Sequence, residues 1–374
     1  MESLRGLGAL TVAGYHMTGW SFNGATLLAP RAAIDFGDMW TIVNRIGYAL
    51  IPGHAALMMF FAISGLVLHT SLQYAPRNIA TASLRFVIAR VFRIYPIVTV
   101  SVVLTAIAYG WKTMEGVPEP VTWDSFILNL LLIDTSINST LWAIKVEAMM
   151  VPCILLLFFA ERAFGTRVLV AVVIVMAAAS FAKQNYIYPP FVHFFYAFAV
   201  GMLIPSLGRQ MVERLSLQSA NRLLAISVAF LVLTGQILPF FSQFTALIET
   251  ISAFVLLSLV TYCPDLRGVG FLDRAFWRKL GMASGSYYVL HMALLPYIVA
   301  GLSLIFPLWP SIHVPQLVCF VVFPLAMLLM FPFALLGFHL IEAPFMAAGR
   351  KVLRWLNLDR AKLPSQPQAA AAPN

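Results

Sequence analysis

The sequence predicts an all-α membrane protein, a polytopic bundle of about ten transmembrane helices with both termini in the cytoplasm. Three observations carry that prediction. Hydrophobic residues make up 61% of the 374 positions and charged residues only 10%, whereas a soluble domain is about one quarter charged. So few charges cannot clothe a soluble core of this length in a polar shell. Apolar runs long enough to cross a hydrocarbon layer of about 30 Å recur ten times. They cover 3–22, 49–72, 84–111, 141–160, 166–182, 190–207, 221–239, 243–263, 284–306 and 314–340. Finally, the basic residues alternate between connections. With the N-terminus placed inside, 19 of the 24 Lys and Arg collect on the cytoplasmic side, and Arg31, Arg45, Lys112 and Lys183 face out. That asymmetry is the one the positive-inside rule demands.

The net charge of +9 therefore reflects topology and does not call for a nucleic-acid partner. Cys153, Cys263 and Cys319 sit in apolar runs without ligand spacing and read as small core hydrophobes. The first run is too long for a signal-peptide core and is a true span. Residues 123–136 are apolar but weaker, which suits an interfacial segment. Residues 1–345 form the membrane domain. Residues 346–374 form a cytoplasmic basic end, with a disordered tail rich in Ala, Pro and Gln from about Leu363. No metal motif or Gly-rich phosphate loop is present. Asn138-Ser139-Thr140 matches a glycosylation sequon and is read as a chance match.

An ionisable side chain inside a bilayer is costly, so each is a functional candidate. His16 lies well inside the first span, eleven residues after Arg5. Eleven steps of 100° come within about 20° of three full turns, so both side chains share one helix face, roughly 16 Å apart along the axis. Glu147 lies early in the fourth span. Lys145 is two residues away and projects to nearly the opposite side, so Glu147 needs another partner or a proton. Arg90 and Arg93 share a face where the third span opens, and guanidinium groups pair well with phosphate. His291 is buried early in the ninth span. His54, His69, His193, His313 and His339 lie nearer span ends, where an interfacial role is expected.

Several segments then resemble the acyltransferase-3 family of membrane acyltransferases, in order along the chain. Arg5, ten residues and His16 are similar to its opening. Phe60-Phe61-Ala62-Ile63-Ser64-Gly65 and Arg90-Val91-Phe92-Arg93-Ile94-Tyr95-Pro96 resemble its second-helix and arginine landmarks. Leu141-Trp142 with Glu147, Tyr288-Val289-Leu290-His291 and Ile341-Glu342-Ala343-Pro344-Phe345 complete the set. The chain departs from the pattern at Met58-Met59, where many relatives carry an acid, and at Ala148-Met149-Met150, which lacks a second Glu and a Tyr. No esterase-like domain follows residue 345.

The resemblance implies an O-acyltransferase with no permanently bound cofactor. The donor would be cytoplasmic acyl-coenzyme A, with acetyl as the expected acyl group. The acceptor would be a hydroxyl of an envelope or exported saccharide, and the setting a bacterial inner membrane with its lipid as partner. On that footing His16 is the general base, and Glu147 orients it or holds the acceptor. Arg5, Arg90 and Arg93 bind the phosphates, while His291, Ser64 and Trp142 line the site. The alternative is a proton-coupled transporter or exporter of a saccharide or lipid-linked substrate, although neither repeats nor paired broken helices are evident.

Overall fold

A backbone buried in hydrocarbon must satisfy its own polar groups, and a helix does so within one segment. The computed structural model describes residues 1–21, 37, 39, 42, 46, 50–76, 78–110, 121–182, 188–239, 242–305 and 315–358. Among them every regular element is helical. A helix covers each of the ten expected spans: α1 Glu2–Ser21, α2 Gly53–Gln73 and α3 Ile79–Gly110 come first. After the short α4, Trp123–Leu130, follow α5 Leu141–Phe164, α6 Thr166–Ala179 and α7 Pro189–Met202. A π-helical turn, Ile204–Gly208, leads into α8 Arg209–Glu213, then α9 Leu217–Ile237 and α10 Gln243–Tyr262. The chain closes with α11 Ala275–Met282, α12 Ser284–Ile305, α13 Pro315–Gly337, a second π turn Phe338–Glu342, and α14 Ala343–Trp355.

By length and composition alone, six of these helices are fit to cross a membrane, and a seventh counts if α7 and the bent segment after it are one span. The chain is thus a multi-pass membrane protein. Exposed apolar side chains such as Leu156, Ile174, Phe230 and Leu328 are what a lipid-facing surface requires. The segment expected at the interface holds α4, capped by Thr122, whose hydroxyl accepts from the Ser125 amide. The basic end begins within helix α14, which carries Pro344 in its first turn, where the missing amide costs no hydrogen bond. Residues 359–374 lie outside the described residues, as do Arg31, Arg45, Arg77, Lys112, Lys183 and His313.

Two close backbone approaches set the frame around α1 and α2. A Cβ on Gly65 would lie 2.0 Å from the Phe198 carbonyl oxygen, and one on Gly201 would lie 2.0 Å from that of Ala62. Glycines on α2 and α7 therefore let each backbone rest on the other, as small residues do between membrane helices. At the Arg5 end, a Cβ on Gly6 would meet the Gly281 nitrogen at 2.6 Å. There Ser3 Oγ also donates to the Leu272 carbonyl at 2.7 Å. These contacts hold the first turns of α1 against α11 and the turn that precedes it, and so fix where Arg5 stands.

On the His16 side of the bundle, the segment after α4 is tied down by a polar cluster. Asn129 Oδ1 accepts from the Ile137 amide at 3.1 Å, and the Ser136 hydroxyl donates to Asp134. That hydroxyl, ahead of the other contacts, holds the Asp134 carboxyl below its ordinary pKa. Asn138 is 2% exposed, and its Nδ2 donates to Ser101 Oγ on α3 at 2.7 Å. The sequon is therefore a buried clamp and is not presented for modification.

Gly65→Ala is expected to lower the thermal midpoint of the purified protein in detergent, by an overpacking cost of about 1–3 kcal/mol. Gly301→Ala, with nothing within 4 Å of the added atom, should leave it unchanged or raise it slightly.

Candidate active site

The α1 helix runs unbroken from Glu2 to Ser21, so Arg5 and His16 do share a face about three turns apart. Each end of that face meets a different partner set.

At the His16 end the partner is His291 on α12. His16 Nδ1 and His291 Nε2 are 2.8 Å apart. The ring planes differ by 3° and the centroids are 5.0 Å apart. The centroid spacing exceeds the N–N distance by about two ring radii, so the rings meet edge to edge in one plane, as a hydrogen bond requires. His291 is fully buried. Its other nitrogen, Nδ1, lies 2.5 Å from the Tyr288 carbonyl oxygen. The same stretch of α12 is anchored from outside. Ser101 Oγ donates to the Val289 carbonyl at 2.9 Å, and Tyr288 Oη donates to the Thr140 carbonyl at 3.1 Å.

At the Arg5 end is a cavity of about 60 Å3, lined by Arg5, Phe60, Ser64, Glu147, Ser284 and Tyr288 among others. It has room for a few waters. Tyr288 joins the two halves of the site. Its side chain lines the cavity and packs edge-on against Phe60, while its carbonyl receives His291.

The charges around this cavity are mutually dependent. Glu147 and Glu342 attract Arg5 and Arg93 repels it. Glu147 attracts Arg90, which Arg93 and Arg5 repel. Arg5 and Arg90 thus share the attraction of Glu147, and Glu2 at the start of α1 attracts Arg5 as well. The ion pairs within 4 Å among the described residues lie elsewhere, at His54–Glu249, His69–Glu161 and Arg209–Glu213. Arg90 stands over the Phe86 ring at 5.9 Å, and its buried Nε has no hydrogen-bond partner among the described residues. A buried, unspent guanidinium donor suits an anionic ligand.

Of the residues named from sequence, Arg5, Ser64 and Glu147 meet in the cavity, and His16 meets His291. Arg90 and Arg93 stand beside the cavity as charges rather than as lining. Trp142 does not line it. It packs in an aromatic cluster with Phe61 and Phe194, at centroid distances of 6.3 and 5.7 Å, because the helix turn presents Ala143 and Ile144 to the cavity instead. Lys145 points away from Glu147 as its spacing requires. It donates to the Ile133 carbonyl at 2.5 Å and lies 4.3 Å over the Tyr188 ring. The ring partner of His16 among the described residues is His291, not Glu147.

Glu342 enters the sequence reading only as part of a landmark, yet it is 4% exposed. It accepts from Ser286 Oγ and acts on Arg5. An acid in an apolar span is a signal that could have found it. The π turn carrying it shifts the register of α13 and aims the carboxylate at α12. His54 and His69, expected at the interface, are instead buried and bonded to Glu249 and Glu161, the latter at 2.6 Å. A partner on another helix outweighs the position near a span end, because burial is tolerated once both groups are bonded.

An all-α bundle that crosses the membrane repeatedly and closes around an interior polar site defines a multi-pass membrane protein. The chain belongs to the acyltransferase-3 family: the family model described as an acyltransferase domain matches residues 1–339. It is accordingly a membrane acyltransferase. No curated protein and no solved structure matches the chain.

Glu342→Ala strips the Ser286 hydroxyl of its acceptor and removes one of the acids that attract Arg5. A loss of roughly 2 kcal/mol is expected, read as a lower thermal midpoint in detergent. Glu342→Gln keeps an acceptor and should lose less.

Proposed function

We propose that the protein is an O-acyltransferase that moves an acyl group, acetyl in the simplest case, from cytoplasmic acyl-coenzyme A. The acceptor is a hydroxyl of an envelope or exported saccharide, and the setting is a bacterial inner membrane. The observation that carries this reading is the shared face of α1, with a cationic cavity at Arg5 and a hydrogen-bonded histidine at His16. Coenzyme A is a polyanion on a long thin arm. Its phosphates suit Arg90 and Arg93, helped by Arg5, and the pantetheine arm suits the roughly 16 Å rise to His16.

In the proposed step the imidazole of His16 takes the proton of the acceptor hydroxyl. The oxygen attacks the thioester carbonyl carbon, and a tetrahedral oxyanion forms. It collapses with cleavage of the C–S bond, and the thiolate leaves with the proton that His16 returns. The acyl ester and free thiol account for every atom, and the histidine ends as it began. Direct transfer of this kind needs fewer steps than an acyl-histidine route. Glu147, on the Arg5 cavity, serves in this reading to hold Arg5 and Arg90 in place. With both termini placed in the cytoplasm, the Arg5 end of the bundle faces the donor's compartment.

A deletion strain carrying His16→Ala is expected to lose ester-linked acetate from its envelope glycans. The effect should be about 10²–10⁴-fold in rate for a lost general base, read by mass spectrometry before and after mild alkali at matched membrane levels. Undiminished acetate would exclude His16 as the base. Arg90→Ala should raise the KM for acetyl-coenzyme A by about tenfold or more, as expected for one charged hydrogen bond.

A further inference from the structure

His291 has no task in the step just described, yet it is the buried partner of the residue that does the work. A carbonyl oxygen can only accept, so the 2.5 Å contact to the Tyr288 oxygen requires a proton on His291 Nδ1. A second proton on Nε2 would make His291 a fully buried cation, and the ion pairs among the described residues provide it with no counter-charge within 4 Å. His291 is therefore neutral, with a lone pair on Nε2. Across 2.8 Å that lone pair needs a donor, so His16 carries its proton on Nδ1. Its Nε2 is then a lone pair, and no group among the described residues bonds to it.

We propose that His291 is a positioning residue that fixes the tautomer of His16 and so selects Nε2 of His16 as the atom that takes the acceptor's proton. This rests on the reading of His16 as the base and deepens it. The chain of contacts runs one way, from the Tyr288 carbonyl to His291 Nδ1–H, then from His291 Nε2 to His16 Nδ1–H. When Nε2 of His16 accepts a proton, the resulting imidazolium still donates its Nδ1–H to His291, and no group has to turn. The geometry is kept by α12. The His291 to Tyr288 contact lies within that helix, and Ser101 on α3 donates to the intervening Val289 carbonyl at 2.9 Å while Asn138, in the segment before α5, donates to Ser101. A histidine with the opposite tautomer would present a blocked Nε2–H to the acceptor, a fault of the kind that costs a serine hydrolase orders of magnitude when its orienting acid is lost.

The test uses the full-length protein in detergent with 15N-labelled histidine, in wild type, His291→Phe and His291→Gln. Phenylalanine keeps the ring's bulk and offers no acceptor. Glutamine can place an amide oxygen near the position of Nε2. In wild type, the His16 signal (assigned by its absence from His16→Ala) should show the proton on Nδ1. It should move to Nε2 in His291→Phe and stay on Nδ1 in His291→Gln. In a complemented deletion strain, ester-linked acetate should fall by about 10²-fold or more in rate with His291→Phe and recover in large part with His291→Gln. A His16 proton on Nε2 in wild type would overturn the inference, and so would a tautomer unmoved in His291→Phe. So too would acetylation by His291→Phe equal to wild type while His16→Ala is inactive, and that pattern leaves the base reading standing. Activity in His16→Ala would instead sink the base reading itself.

Discussion

A hydrocarbon layer offers no water to an arginine or a carboxylate, so each one that enters it must find its partners on neighbouring helices. Arg5 and His16 sit on one face of one helix and therefore decide what the helices around them must supply. At the lower end the response is electrostatic. Glu147 from α5 and Glu342 from the turn after α13 approach Arg5 without forming close ion pairs. At the upper end the response is a single hydrogen bond from α12. The glycine contacts of α1 with α11 and of α2 with α7 belong to the same constraint. The close backbone approaches at Gly6, Gly65, Gly201 and Gly281 bring together the helices whose Arg5, Ser64 and Glu147 line one cavity.

The two halves of the site are chemically unlike, and the proposed reaction uses the difference. In that proposal a polyanionic donor would be drawn by the arginines clustered at the cavity, while a neutral hydroxyl would need only a base with a defined lone pair. Tyr288 stands between them, its ring on the cavity and its carbonyl on His291. In the proposed reaction, placement of the donor and orientation of the base would thus be linked through a single residue of α12. The interior acids have a matching part. With three arginines crowded together, loss of either carboxylate would leave repulsion that burial does not relieve.

Much of the fold could be read from the chain because a span is a local property. Twenty apolar residues announce themselves, and each of the ten runs is covered by a helix with ends close to those expected. The Arg5–His16 face was equally legible, since it depends only on helical periodicity. What could not be read is pairing across the bundle. His16 and His291 are 275 positions apart, and nothing local to either sequence names the other. The same holds for His54 with Glu249 and His69 with Glu161, which span-end position alone assigned to the interface. Glu342 was hidden differently. Its aim depends on a π turn that a regular helical count does not anticipate. Trp142 shows the opposite error, in which an aromatic beside a recognised motif packs against Phe61 and Phe194 and stays off the cavity.

The most direct test of a shared donor face on α1 is a cryo-EM structure of the protein bound to coenzyme A. The expected density places the phosphates at Arg90 and Arg93, the arm along the Arg5–His16 face, and the sulfur within about 4 Å of the position facing His16 Nε2. Phosphates held by other residues, or a thiol that ends away from His16, would contradict the proposed path of the acyl group through this bundle.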